Sequence, residues 1–170
     1  MNRPESISLA AGEEYCVVAA PFGRLGIRTE MVDTSLMVSK IAYLPSRTPM
    51  KPPSNGLAQE LLRQLTAYFA DPSYRFDIPL KPVGTVHQQK VWQSVQDIPL
   101  GQTWTYGEIA RRIQSAPRAV GGACGANPYP LVVPCHRVVS ASDIGGFMKE
   151  TGPGFYRQIK VWLLEHEGVL

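Results

Sequence analysis

The stretch TYGEIARRIQSAPRAVGGACGAN (residues 105–127) decides the fold of the second half of this chain. Thr105 is followed three residues later by Glu108, which is the capping-box pattern at the start of a helix. Ser-Ala-Pro at 115–117 then interrupts this helix, and Ser115 is the predicted N-cap of a second one. Two short helices joined by a tight turn predict a helix-turn-helix.

The second of these helices is rich in small residues. A glycine costs about 1 kcal/mol relative to alanine in a helix interior, so several glycines in one short helix need a compensating reason. One reason is close approach of the helix backbone to DNA, and the other is tight packing against the core; both stay open at this point. The small residues are Ala119, Gly121, Gly122, Ala123, Gly125 and Ala126.

The first half of the sequence has the pattern of mixed α/β structure. Three apolar, β-prone runs are separated by turn signals, and the first two can form a hairpin around Pro-Phe-Gly. A helical pattern, GLAQELLRQLTAYFA (56–70), follows with Asn55 as its predicted N-cap. The runs that predict strands are EEYCVVAA (13–20), RLGIRTE (24–30) and LMVSKIAYL (36–44).

These elements predict an α/β (α+β) protein with two domains. Residues 1–84 are expected to form a small N-terminal α/β domain with a short antiparallel sheet, ending in the Pro-rich connector 71–84. Residues 85–170 are expected to form a helical, winged-helix-like domain that carries the helix-turn-helix. Two further helices are predicted in it, over 86–98 and 155–168.

Composition excludes several classes of protein. With 44% hydrophobic and 18% charged residues in 170, the chain is globular rather than disordered. No apolar run approaches the ~20 residues of a membrane helix, and no export signal begins the chain. We therefore expect a cytoplasmic protein, nucleoid-associated if bacterial, with no membrane partner. The three cysteines are odd in number and widely spaced, so neither a disulfide framework nor a metal site is expected.

The net charge of +3 is small for the whole chain, but the excess positive charge is concentrated in one segment. Residues 105–137 contain four arginines, and Glu108 is the one acidic residue among them. A solvated helix face is the usual explanation of such a cluster, and contact with nucleic acid is the alternative.

The segment NPYPLVVPCHRVV (127–139) contains the chemical centre of the sequence. A free cysteine in an apolar run is most often a small core residue. Here Cys135 precedes His136 and Arg137, and such neighbours can stabilise the nucleophilic thiolate. Adjacent side chains of a strand point to opposite faces, so Cys135 and His136 need a turn or a bridging water in order to communicate.

Several motifs in order resemble the O6-alkylguanine-DNA alkyltransferase family. They include PCHRV within NPYPLVVPCHRVV (127–139), and a C-terminal KVWLLEHEG (160–168). TYGEIA (105–110), preceded by Trp92, and RAVGGA (118–123) also match the family. Several motifs at near-family spacing are far more specific than one.

The resemblance implies a transfer of an alkyl group from the O6 atom of guanine to the protein's own Cys135, without a cofactor. In the family, the histidine that corresponds to His136 acts on the cysteine through a water, and the glutamate that corresponds to Glu167 orients that histidine, as in a protease triad. Tyr106 matches the tyrosine that donates its hydroxyl to the flipped guanine, which makes the base a better leaving group. A thioether has no easy hydrolysis route, so each molecule is expected to act once.

The resemblance also assigns supporting and binding roles. Arg118 matches the arginine that replaces the extruded base in the stack, and Asn127 matches an asparagine that supports the site. Further residues expected at the DNA are Thr105, Ala119, Gly122, Ala123 and Arg137. The expected substrate pocket contains Cys124, Val138, Phe147 and Met148. The loop after Val139 departs from the family pattern, and Lys160 is the residue expected to fix it.

The expected function is therefore irreversible repair of O6-alkylguanine, with O4-alkylthymine as a further substrate, in double-stranded DNA by a monomer. Minor-groove binding through the helix-turn-helix and base flipping are part of this expectation. Two alternatives belong to other classes. One is a DNA-binding damage sensor or regulator without transfer activity, and the other is a Cys-His hydrolase, which would need an oxyanion hole.

Overall fold

The computed structural model describes residues 12–148 and 154–170. Its contacts divide the chain into two compact units. Among the described residues, the first unit contains those up to Arg63 together with Asp77–Lys81, and the second contains Gln64–Phe76 and those from Pro82 onwards. The domain boundary expected between residues 84 and 85 stays a prediction, but the contacts themselves place 64–76 with the C-terminal half.

The first unit is built on a three-stranded antiparallel sheet. Its strands are β1 (Glu13–Ala20), β2 (Gly23–Val32) and β3 (Ser35–Leu44), in the order β1-β2-β3. All three β-prone runs of the sequence are therefore strands, and the hairpin around Pro-Phe-Gly is confirmed. Alternation buries one face, on which Cys16 lies opposite Ile27 and Ile27 opposite Ile41. Cys16 is thus a core residue.

Helix α1 (Gly56–Ala70) runs from the first unit into the second. Asn55 caps it as predicted, because its Oδ1 accepts a hydrogen bond from the backbone N–H of Ala58 at 2.8 Å. Its apolar face is buried, including Leu65 and Tyr68 in the part that belongs to the second unit.

The second unit is mainly helical. Its helices are α2 (Val86–Gln96), α3 (Tyr106–Ile113), α4 (Pro117–Gly125) and α5 (Phe155–His166). Two short strands, β4 (Trp104–Thr105) and β5 (Val138–Val139), pair in parallel. None of the helices in the described parts of the chain is long and apolar enough to cross a membrane.

Helices α3 and α4 form the predicted helix-turn-helix. The capping box is present, because the Thr105 hydroxyl accepts from the Glu108 N–H and the Glu108 carboxylate accepts from the Thr105 N–H. Gln114 ends α3 in the left-handed conformation, with φ 57°. The prediction for Ser115 is wrong: the N-cap of α4 is Ala116, and the Ser115 hydroxyl lies 2.8 Å from Nε2 of His87 instead. Pro117 at the first turn begins α4 without a side-chain cap.

Candidate active site

Cys135 lies in a single 3-10 turn, Cys135–Arg137, between Pro134 and β5. The N–H of Cys135 donates to the carbonyl of Val133 at 2.8 Å, and that of Arg137 donates to Pro134 at 3.0 Å. Adjacent side chains of a strand would point to opposite faces, and the sequence therefore required a turn at this point, which the 3-10 turn supplies. Cys135 and His136 are both buried, with exposed fractions of 3% for Cys135 and 1% for His136.

The thiol of Cys135 is protonated in this resting arrangement. A hydrogen bond with the Cys124 side chain and burial together raise its pKa well above the usual value, although Asn127 and Lys160 act in the opposite direction. The cationic neighbours in the sequence therefore do not by themselves produce a thiolate. A base has to remove the proton when the sulfur reacts.

The resemblance to the family assigns the role of this base to His136. Its Nε2 lies 3.0 Å from Oε1 of Glu167. Burial lowers the pKa of His136, and the nearby carboxylate partly opposes this shift, so the ring is neutral at neutral pH. Because Nε2 faces the carboxylate, Nδ1 is the nitrogen that can accept a proton; within the described segments neither ring nitrogen forms a hydrogen bond of standard geometry.

Glu167 is the C-cap residue that directly follows α5, rather than a residue inside the helix. Burial would raise the pKa of its carboxyl group, but hydrogen bonds and charges from His136 and Arg137 hold it well below the usual range. The carboxylate also accepts a hydrogen bond from the Tyr68 hydroxyl at 2.7 Å. Glu167 is therefore ionised and held by partners on both of its oxygens.

Arg137 differs from its expected place at the DNA. Its Nε and Nη2 donate to the two oxygens of Glu167 at 2.8 and 2.9 Å, and its Nη1 donates to the carbonyl of Ile98 at 2.9 Å. The side chain is 14% exposed. The physical reason is that a buried carboxylate requires a compensating cation, and the planar guanidinium can bind both oxygens at once.

Lys160 connects the site to the divergent loop after Val139. It is fully buried, and its Nζ donates to the carbonyls of Val138 and Gly146 at 2.8 and 2.9 Å. Burial lowers the pKa of this ammonium to about 8. Tyr106 donates to the same carbonyl of Gly146 at 3.3 Å. The loop carbonyl thus brings together the lysine and the tyrosine that the sequence singled out.

The predicted support and pocket residues lie around these groups. Asn127 is buried and joins two backbone positions, since its Nδ2 donates to Val133 and its Oδ1 accepts from Tyr129, both at 2.9 Å. Cys124 is buried on α4 beside the Cys135 thiol. Phe147 is also buried, with Nζ of Lys160 lying 5.8 Å from its ring centre. Met148 adopts a positive φ of 51° at the end of the described loop.

The predicted DNA-facing residues of α4 do not share one environment. Arg118, Ala119 and Gly122 are exposed. Ala123 differs from the expectation, because it is buried and its carbonyl accepts a hydrogen bond from the Trp92 indole at 2.9 Å. A Cβ added at Gly122 would meet nothing within 4 Å, so packing against the core does not explain that glycine.

Two contacts of this site were not foreseen from the sequence, those of Arg137 and of Tyr68 with Glu167. The contact of Arg137 with Glu167 could have been predicted from the sequence, because a glutamate that is buried next to a histidine requires a cation nearby. Tyr68 is 99 residues from Glu167, and its place in an apolar helical pattern indicates burial but no partner.

Comparison with known proteins identifies relatives over nearly the whole chain. Residues 86–169 match the sequence model of the DNA-binding domain of 6-O-methylguanine DNA methyltransferase. The methylated-DNA–protein-cysteine methyltransferase of Mycobacterium leprae is 38% identical over 156 residues, which cover 91% of this chain and 88% of the relative.

Solved structures agree with this result. The crystal structure of Mycobacterium tuberculosis O6-methylguanine methyltransferase superimposes with a TM-score of 0.73 at 38% identity, covering 91% of this chain and 92% of that one. The structure of M. tuberculosis OGT in complex with DNA gives a TM-score of 0.72 at 37% identity, with the same coverage. From the similarity over most of both chains, we conclude that this chain belongs to the methylated-DNA–protein-cysteine methyltransferase family.

Proposed function

We propose that this protein repairs DNA by moving an alkyl group from O6 of guanine to Sγ of its own Cys135, once per molecule. The observation that carries this proposal is the buried pair formed by His136 and Glu167, with 3.0 Å between Nε2 and Oε1, directly after Cys135 in one turn. A buried cysteine that served only packing would not need an adjacent histidine oriented by an ionised carboxylate.

The transfer requires one bond to form and one to break. Sγ of Cys135 attacks the alkyl carbon, and the bond from that carbon to O6 breaks. Because the pKa of the resting thiol is raised, its proton has to leave during the reaction, and Nδ1 of His136 accepts it through a bridging water. The carboxylate of Glu167 then stabilises the imidazolium that forms. The guanine leaves as a neutral base when Tyr106 gives it a proton. Because burial disfavours a phenolate at Tyr106, its oxygen regains a proton as the imidazolium of His136 returns to its neutral form, so the net proton transfer is from the Cys135 thiol to guanine.

Tyr106 can change partners during this step. In the present arrangement its hydroxyl donates to the carbonyl of Gly146 at 3.3 Å, which is a long hydrogen bond. A guanine that enters the site can replace this weak interaction at little free-energy cost. Since Cys135 is 3% exposed, the base has to enter the site rather than meet the sulfur at the surface. This requirement fits a flipped nucleotide.

The exposed surface of α4 is the proposed contact with double-stranded DNA. Arg118, Ala119 and Gly122 are exposed there, and the small side chains allow the helix backbone to approach the groove closely. Arg118 takes the place of the extruded base. Recognition of the backbone and of groove shape makes binding salt-dependent and tolerant of sequence. Action on O4-alkylthymine, the monomeric state and a cytoplasmic, nucleoid-associated location stay predictions.

A damage sensor without transfer activity is the alternative from another class. It is not favoured, because a sensor would bind DNA through α4 without any use for a thiol beside the His136–Glu167 pair. A hydrolase would use the same pair but would also turn over repeatedly. The three functions therefore differ in what happens to Cys135.

Mass spectrometry separates these functions in one experiment. The protein is incubated with a duplex that contains O6-methylguanine, and the intact mass and the peptides are measured. We expect one added methyl group at Cys135 in the wild type and in the control Cys16→Ala, whose cysteine lies in the core of the other unit, and none in Cys135→Ala. Repeated release of methanol would indicate a hydrolase, and binding without a change in mass would indicate a sensor.

A further inference from the structure

A tyrosine from α1 contacts the carboxylate of the proposed relay. The Tyr68 hydroxyl donates to Oε2 of Glu167 at 2.7 Å, and both residues are buried in the second unit. Tyr68 lies outside residues 86–169, which match the family's DNA-binding domain. The compact unit that contains Cys135 therefore includes a contact to Glu167 from a residue outside the family's DNA-binding domain.

The position of Tyr68 is itself fixed at two further points. Nε2 of His166 lies 2.7 Å from the backbone carbonyl of Tyr68, and the two rings pack edge to face with their centres 5.2 Å apart. The His166 ring also stacks on Trp162, at 4.8 Å between centres. Two consecutive residues at the end of α5, His166 and Glu167, thus both bind Tyr68. This arrangement determines where the Glu167 carboxylate lies.

The Tyr68 hydrogen bond has a defined place among the contacts of Glu167. Oε1 faces His136 and Nε of Arg137, whereas Oε2 accepts from Nη2 of Arg137 and from the Tyr68 hydroxyl. Arg137 binds both oxygens through a single fork of donors, Nε and Nη2, and its Nη1 is held in turn by the carbonyl of Ile98. A donor from a second direction fixes the plane of the carboxylate, and with it the oxygen that faces the imidazole.

We propose that Tyr68 is a positioning residue for alkyl transfer: its hydroxyl holds the Glu167 carboxylate in the orientation that aligns His136 with Cys135. This inference rests on the proposed function, because it concerns the rate of that transfer. Tyr68 does not contact the substrate, and it acts through Glu167.

The hydroxyl also affects the basicity of the relay. A hydrogen bond to a carboxylate disperses its negative charge, so its removal strengthens the attraction between Glu167 and a proton on His136. The other charged groups that act on His136 are Arg137 and Lys160, and neither is changed by a substitution at Tyr68. Tyr68→Phe is therefore expected to raise the pKa of His136. Glu167→Gln removes the negative charge and is expected to lower it.

The test is the single-turnover rate of methyl transfer to the full-length protein, measured as a function of pH. We expect Tyr68→Phe to react about three- to tenfold more slowly at neutral pH, with the acid limb of its profile displaced to higher pH. Glu167→Gln is expected to react more slowly still, with that limb displaced to lower pH. The control Tyr74→Phe removes a hydroxyl from the neighbouring aromatic cluster, where the Tyr74 ring packs on Phe76, and should react like the wild type.

Because each molecule reacts once, amplitude and rate report different properties. The methyl groups accepted per protein chain count the folded, competent molecules, and the rate constant reports the relay. Tyr68→Phe that reacts at the wild-type rate, or that loses only amplitude, would overturn the positioning role while Glu167→Gln still supports the relay. A wild-type protein that accepts no methyl group would instead overturn the proposed function itself.

Discussion

Replacing Arg137 by methionine should destabilise the fold through Glu167. Methionine keeps much of the volume of the arginine stem but removes the guanidinium that binds both oxygens of the carboxylate. The Glu167 side chain is fully buried, so water cannot take over this role. His136 is neutral and offers one donor in place of a full charge. The variant therefore leaves a buried carboxylate without its cation.

The expected decrease in the free energy of unfolding follows from the cost of breaking a buried ion pair. Removal of one partner of such a pair typically costs about 3–5 kcal/mol, and the 14% exposure of Arg137 places this case at about 3 kcal/mol. The pKa of Glu167 is lowered in the folded protein, so its contribution to stability is fully present above the unfolded pKa, near 4.5, and is lost as the pH falls through the folded value. In the variant the folded pKa rises. The difference between the two proteins should therefore be fully present at neutral pH and should narrow as the pH falls below the raised folded pKa of the variant, where Glu167 becomes protonated in the variant but not in the wild type.

Urea unfolding at a series of pH values measures this difference. The matched control is Arg63→Met, which breaks the exposed pair with Glu60 and should change stability by no more than about 0.5 kcal/mol. A loss below about 1 kcal/mol for Arg137→Met, or a loss that does not depend on pH, would refute the assignment of Arg137 as the counter-ion of Glu167.

Three further predictions concern the proposed reaction. Glu167→Gln should slow methyl transfer but leave the affinity for DNA nearly unchanged, because α4 is not altered. Equal single-turnover rates for the variant and the wild type would reject the orienting role of Glu167. Arg118→Ala should reduce repair of duplex DNA more than reaction with free O6-alkylguanine base, and equal losses would show that Arg118 does not assist base flipping. Gly122→Ala should preserve or slightly raise thermal stability, whereas Gly122→Glu should weaken binding to duplex DNA in a titration; unchanged binding of Gly122→Glu would place the DNA contact elsewhere.

The local elements of this protein could be predicted from its sequence because their causes are local. The apolar, β-prone runs over 13–20 and 36–44 predict strands, and both are present. The capping box of Thr105 and Glu108 involves atoms only three residues apart and is present as well. Several motifs in order, among them the one around Cys135, predicted the family, and the comparisons confirm it.

The incorrect or missing expectations concern side chains whose partners are distant in the chain. Ser115 satisfies the local pattern of an N-cap, but His87 on another helix competes for its hydroxyl. Ala123 belongs to the stripe of small residues, yet it turns towards Trp92 in the core. The periodicity of a helical sequence predicts its buried face only approximately. The helices that pack around it decide which residues of that face are buried.

The sequence by itself determined the strands and the helix-turn-helix, and its resemblance to the family indicated Cys135, His136 and Glu167 as the proposed nucleophile, base and orienting carboxylate. Only the tertiary structure decided that Arg137 neutralises Glu167, that Tyr68 holds the same carboxylate, and that the Cys135 thiol is protonated at rest. The physical reason is that propensity and capping act over a few residues, whereas burial and charge compensation depend on atoms that folding brings together from 30 and 99 positions away.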